Sequence, residues 1–564
     1  MLKKNDNITY DVEKISIENP LPAKEFNDFH DKLDVEKYGE TKRKLNLRHV
    51  NLLMIGQSIG SALFVSIKNP LHNSGSLSFF LAFAIWACLV IYPLMQAIGE
   101  MCSYLPIKGS FFHFSARYVD PALGFASSLI YTYTALMFVC IEATACAGLI
   151  SFWTDINPGV FITIALVLFF LLNLFGAQFY GEFESIFSSF KVILILGLML
   201  FSLISMCGGN PQHNAYGFQH WKEGGLFRPY LVGGTTGKFL GTYNCLIWAG
   251  FAAGGPDVLA LIAAEVKMPR KNIGIVAKRS YIRIYLFYLG GIFFLNCLIA
   301  SNDPSLVKSL KSSTVSPWTL GIQNVGVRGL GLVVNGAVLT SAFSCGNAFF
   351  FLGTRSLYSA SLAGYVPRFF SKCLKSGVPI NCVIFTGVVS LISYLNVSQS
   401  TGVVFNWFVN LATTGLLCSY ICMWLAYFKF RKAYVVQTGK QMKKGEYPYY
   451  LAPKFIHPYF TYFGFFINVV VLFFNGFWIF FPGQFSVSNL FTSYFAPVFF
   501  ICLFVFWKVF KKTHWRNAME ADITTGKQYI DEEEERDIEF ELNRERRKGR
   551  FFVACRKASD FCFS

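Results

Sequence analysis

Long apolar stretches, separated by short polar connections, run through the chain from residue 49 to residue 509. Gly159–Leu174 and Val192–Cys207 approach or reach the length of helix that crosses a hydrocarbon layer of ~30 Å. The pattern predicts twelve membrane-crossing helices, at 49–67, 76–103, 122–152, 159–177, 186–207, 239–264, 283–301, 328–354, 379–395, 403–428, 461–481 and 491–509. They are helices because the alternative, a membrane barrel, would show segments of about ten residues of alternating polarity instead. The expected fold class is an all-α polytopic membrane protein. Its parts are a polar tail over 1–45, a helical domain over 46–510 and a second polar tail over 511–564.

Composition agrees. Of 564 residues, 54% are apolar or aromatic and 15% charged, against about 25% charged in soluble proteins. Too little polar sequence is present to wrap one large core in water. The 50 basic and 33 acidic side chains leave a net charge of +17, which raises nucleic-acid binding as one reading. Placement favours the other reading, the collection of Lys and Arg in cytoplasmic loops. With the N-terminus inside, those loops hold Lys108 and Arg117; Lys267, Arg270, Lys271, Lys278 and Arg279; Arg368, Lys372 and Lys375; and Lys429 to Lys444. The opposite loops hold Lys68, Lys222, Arg228, Lys308 and Lys311. Both tails are therefore expected on the cytoplasmic side. The sequon at Asn396 falls outside but close to the bilayer, and that at Asn7 falls inside. Neither is expected to carry a glycan.

Residues 1–45 lack the apolar core of a cleavable signal, so the first span is expected to direct insertion. Their lysines, Lys3, Lys4, Lys14 and Lys24 among them, are candidates for modification by ubiquitination and trafficking machinery. The acidic run Asp531–Glu535 reads as a solvated tail. The 15 cysteines show no metal-ligand or disulfide spacing, and Cys562 stands third from the end, outside a prenylation box. Neither a metal nor a cofactor is expected.

Two spans carry helix breakers at corresponding places. Span 1 contains Gly56-Gln57-Ser58-Ile59-Gly60-Ser61-Ala62, and span 6 contains Gly250-Phe251-Ala252-Ala253-Gly254-Gly255-Pro256-Asp257. In a bilayer, irregular backbone survives only where it faces protein or a water-filled cavity. Two interruptions five spans apart match an inverted repeat of five plus five helices with a binding site at the midplane. Close helix packing at Gly56-x-x-x-Gly60 is the competing explanation for span 1. Gly56-Gln57-Ser58-Ile59-Gly60 also matches a nucleophile elbow, but inside a spanning segment it lacks the strand–turn–helix context of a hydrolase. No ATP-binding loop or zinc-protease motif is present. The protein is not expected to be an enzyme, and transport would be driven by a gradient or be facilitative.

Ionisable residues at membrane depth are costly and rare. Glu142 in span 3, Asp257 in span 6 and Lys191 near the start of span 5 are the candidates. Glu100 and Glu265 lie near span ends, where pairing with basic loops explains them. Lys191 has two readings, snorkelling to the interface or reaching inward.

Four stretches carry a family resemblance. They are Gly99-Glu100-Met101 through Asp120-Pro121-Ala122-Leu123-Gly124; Ala264-Glu265-Val266 through Ala277-Lys278-Arg279; Ser341-Ala342-Phe343-Ser344 through Gly377-Val378-Pro379; and Phe405-Asn406-Trp407 with Phe428 to Ala433. Over residues 42–530 the chain resembles fungal, yeast-type amino-acid permeases of the amino acid–polyamine–organocation superfamily. The resemblance implies a LeuT-like fold and a secondary transporter that imports amino acids across the plasma membrane with protons, by alternating access. It implies that substrate carboxylate meets backbone amides at Ile59, Gly60, Ser61 and Ala62, and that the substrate amine meets carbonyls at Ala253, Gly254 and Gly255. Glu142 then matches an acidic position tied to substrate choice, Asp257 the acid after the span 6 break, and Lys191 a proton-responsive lysine. The chain departs from the family pattern where Ala62, Ser66 and Lys68 replace glycines, where Ala253 replaces an aromatic and where Asp257 is one methylene shorter than the usual acid. These changes have two readings, a wider pocket suited to a bulky or non-standard substrate and a protein that has lost efficient transport. The alternatives are a nutrient sensor with little transport and an amine transporter of the carnitine or polyamine type.

Overall fold

A computed structural model describes residues 46–539 apart from 108–109, 176, 264–265, 311–314, 375, 399–400, 529, 533 and 537. The N-tail lysines, Asn7, Cys555 and Cys562 lie outside the described residues, as do Lys108, Gly109, Ala264, Glu265, Lys311 and Lys375. Among the described residues all twelve expected spans are helical and no β-strand forms. Spans 1 to 6 are Leu47–Ser66, Ser76–Tyr104, Pro121–Ile150, Pro158–Asn173, Phe179–Met206 and Gly234–Ile262. Spans 7 to 12 are Pro269–Leu298, Gly329–Leu362, Ile380–Val397, Gly402–Thr438, Ile456–Phe473 and Val487–Lys511. Eleven are long and apolar enough to cross a membrane, and span 4 is shorter at 16 residues.

Several boundaries differ from the apolar pattern, three of them as follows. Span 7 starts at Pro269 instead of 283, because Pro is pre-set for a first helical turn and the polar segment Pro269–Arg283 continues the helix. Span 10 runs on to Thr438 through Lys429, Arg431 and Lys432. Span 11 stops at Phe473, and a tight turn over Phe477–Phe480 takes up the remaining apolar residues.

Spans 1, 3 and 6 are the most enclosed, and span 3 packs along spans 8 and 10. Spans 5, 9 and 12 lie outermost, where Ile193, Val388 and Val509 are exposed as expected of lipid-facing positions. The chain enters span 1 and leaves span 12 on one face, here the terminal face. Three features near the span ends were less predictable. Lys68 is buried, donates to the Ser309 carbonyl at 2.9 Å, and is pushed down to about 8 by loss of solvation. Asn396 is only 3% exposed, which keeps its sequon out of reach. Glu100 is fully buried and pairs with Arg431 at 3.2 Å, Tyr427 at 3.0 Å and the Ala452 amide at 2.9 Å, as the pairing account of it expects.

The C-terminal segment folds back on the terminal face and is not simply solvated. Its Arg516 amide donates to the Val119 carbonyl at 2.8 Å, Ile523 is fully buried, and Arg270 pairs with Asp531 at 2.5 Å and Glu534 at 2.7 Å. Asp120 anchors this region. It caps span 3 by accepting from the Ala122 amide at 2.8 Å, and also accepts from Lys508 at 2.5 Å and Thr513 at 2.7 Å. Asp120→Ala should therefore destabilise the protein by about 1–2 kcal/mol. The measurement is a thermal shift of the purified protein; an unchanged midpoint would refute the cap's contribution.

Candidate functional site

The break in span 1 follows from local geometry. Leu47–Ser58 is helical, Ile59 is extended at φ −105°, ψ 91°, and wider π-type turns resume over Ala62–Ser66. A break leaves carbonyls of the first half and amides of the second without helical partners. Spans 5 and 8 supply the carbonyls' partners. Lys191 Nζ donates to the Gly56 carbonyl, Cys345 Sγ to Gln57 at 3.4 Å and Ser341 Oγ to Ile59 at 3.0 Å. The Ser61 amide donates to both oxygens of Glu142 at 3.3 Å. The glycines also serve packing: a Cβ on Gly56 would lie 2.2 Å from Glu184 Oε1, and one on Gly60 would lie 2.5 Å from Cys345 Sγ. Breakage and close approach thus occur in the same glycines.

Span 6 breaks in the same way. Gly234–Ala252 ends at extended Ala253, and Gly255 takes φ +135°, a conformation that favours glycine, before Pro256–Ile262 begins. Tyr288 donates to the Ala252 carbonyl at 2.9 Å, and Trp86 to that of Ala253 at 3.4 Å. Asp257 sits in the first turn of the second half, where negative charge is favoured. One oxygen accepts from the Gly255 amide at 3.2 Å; the other accepts from Tyr131 at 2.7 Å and Gln57 at 3.4 Å. Asp257 thereby joins spans 1, 3 and 6.

A small cavity lies between these elements. Of the expected site residues, Ala62, Glu142, Gly254 and Asp257 line it. Ile59, Gly60, Ser61, Ala253 and Gly255 do not; the Ser61 amide reaches it only through Glu142, and the Ala253 carbonyl is held by Trp86. The aromatic missing at Ala253 has a counterpart. Phe138 stacks between Phe251 at 5.6 Å and Phe349 at 4.1 Å, and all three rings line the cavity. Sequence reasoning missed these rings, which belong to spans 3, 6 and 8 and converge only in the fold.

Lys191 lies behind span 1, away from the cavity, and reaches inward. Its ammonium is 3.7 Å from Glu184 Oε1, which also accepts from Ser344 at 2.6 Å and Ser188 at 3.4 Å. Glu184 was also missed. It precedes Lys191 by two helical turns on the same face, but the apolar pattern starts span 5 at 186 and leaves it in a loop.

The sequence has counterparts among known proteins. Residues 49–519 match the amino acid permease family. The chain belongs to that family. It is 37% identical over 514 residues to the proline-specific permease of Emericella nidulans, covering 90% of this chain and 92% of the relative. It is 36% identical to the proline-specific permease of Saccharomyces cerevisiae, over 88% of this chain and 80% of the relative. The dicarboxylic amino acid permease of the same yeast is 33% identical, over 88% and 81%. The permease is thus a multi-pass membrane protein that imports amino acids.

Proposed function

We propose that this permease takes up a small neutral amino acid of the proline type at the plasma membrane, driven by protons. The observation that carries the reading is the lining of the first cavity. It combines the rings of Phe138, Phe251 and Phe349 with two carboxylates, Glu142 and Asp257, beside the broken ends of spans 1 and 6. Carboxylates suit a substrate's ammonium group, and the rings suit an apolar ring or side chain. Two relatives with 36% and 37% identity are named proline-specific permeases, which supports the same substrate class.

The roles divide by position. Glu142, Asp257 and the backbone at Gly254 face the substrate; Gly60 and Ser61 hold Glu142 in place. Lys191 carries the proton-responsive role, because its ammonium holds the Gly56 carbonyl at the end of the first half of span 1. Losing that proton would free the half-helix to move. The terminal face, with its basic loops, is the cytoplasmic one.

The test is uptake of radiolabelled proline, other amino acids, carnitine and spermidine in a permease-deficient yeast. Proline should accumulate, and a protonophore should stop it. Accumulation of carnitine or spermidine alone would replace the substrate class, and signalling without accumulation of any label would favour a sensor.

A further inference from the structure

A second small cavity lies against the breaks. Met54, Ile59, Met95, Gly254, Gly255 and Arg283 are among its lining residues. Chain order places it. Met54 precedes the span 1 break and Met95 lies in the second half of span 2, so both lie toward the terminal face, with Arg283 midway along span 7. The first cavity takes Ala62 after the span 1 break and Phe251 before the span 6 break, together with Gln57 and Asp257 on the other side of those breaks. Gly254 lines both. The two cavities therefore adjoin at the broken backbone.

Arg283 is the distinctive group. Its Nη1 is buried and donates to nothing. The other enclosed cations all have partners: Lys191 has Gly56 and Glu184, Lys68 has Ser309, Arg355 has Gly377, and Arg431 has Glu100. The remaining polar groups of the cavity are already used. Ser280 donates to the Ala277 carbonyl at 2.8 Å, and Tyr288 donates to Ala252 at 2.9 Å. A buried guanidinium N–H without an acceptor is costly, and the planar fork of the group matches a carboxylate. An incoming amino acid also finds the Ser61 amide occupied by Glu142.

We propose that Arg283 forms a second carboxylate-binding station, between spans 1, 2, 6 and 7, that receives the carboxylate of the amino acid on the terminal-face side of the breaks. The identity of the carboxylate as the transported one rests on the uptake reading above; the site itself does not. Its walls, mostly aliphatic and aromatic, limit it to a small apolar body carrying one anionic group.

Cyclopentanecarboxylate, a ring with a carboxylate and no amine, is the probe. Thermal stabilisation of the purified full-length permease is measured with it, with cyclopentanecarboxamide and with chloride at equal ionic strength. The carboxylate should stabilise the wild type and the other two should not. Arg283→Gln should abolish the effect, and Arg283→Lys should keep a weakened one. Absence of carboxylate-specific stabilisation in the wild type overturns the proposal, whether or not the variants fold. So does an effect that survives Arg283→Gln. In cells, Arg283→Gln should lower maximal uptake about ten-fold with KM within about two-fold, since release is impaired and loading is not. Failure of proline uptake in the wild type would instead concern the substrate, leaving the binding result to stand.

Discussion

Gly60→Leu should reduce amino-acid uptake to background while the protein still reaches the cell surface. Even the first carbon of a side chain at this position would lie 2.5 Å from Cys345 Sγ, 2.8 Å from Glu142 Oε1 and 2.9 Å from Cys345 Cβ. Leucine adds three more carbons to that collision. Overpacking of this kind costs about 1–3 kcal/mol, which a large helical bundle can survive. The local consequence is more severe, because Glu142 must leave the Ser61 amide and span 8 must move away from span 1. Uptake should fall at least about 100-fold, the loss expected when binding groups are displaced by about an ångström. Radiolabel uptake and surface labelling of a tagged protein decide the matter together. Wild-type uptake in this variant would remove span 1 from the substrate site.

A second large effect is expected at Lys191. Lys191→Ala takes the ammonium from the Gly56 carbonyl and leaves Glu184 buried with only the hydroxyls of Ser344 and Ser188. Removing one partner of a buried pair typically costs about 3–5 kcal/mol. Uptake should drop strongly, and what remains should no longer decline as external pH rises. The double variant Lys191→Ala, Glu184→Gln separates structure from coupling. It removes the stranded carboxylate, so surface expression should recover while the pH response stays flat. Recovery of a normal pH response in the double variant would deny Lys191 its proton role.

Much of the architecture was legible in the sequence. Apolar length alone located all twelve spans, because a bilayer demands some twenty apolar residues per crossing. The glycines and proline of spans 1 and 6 marked both breaks, since these residues weaken a helix wherever they stand. The scarcity of charge at membrane depth singled out Glu142, Asp257 and Lys191, and the structure buries all three. Span ends were less legible. The polar start of span 7, with Arg283 at its close, and the start of span 5, with Glu184, both escaped the apolar pattern.

Tertiary structure alone decided what each buried charge meets. Nothing along the chain tells that Glu142 would occupy the Ser61 amide, that Tyr131 and Gln57 would converge on Asp257, or that Lys191 would turn inward to Gly56 and Glu184. These partners lie between 7 and 200 residues apart in sequence. The aromatic wall of Phe138, Phe251 and Phe349 and the unpaired Arg283 are of the same kind. The physical reason is that hydropathy records only whether a residue can enter the bilayer. Inside it, a polar group's role depends on which neighbour satisfies it, and that is settled by the packing of helices far apart in the chain.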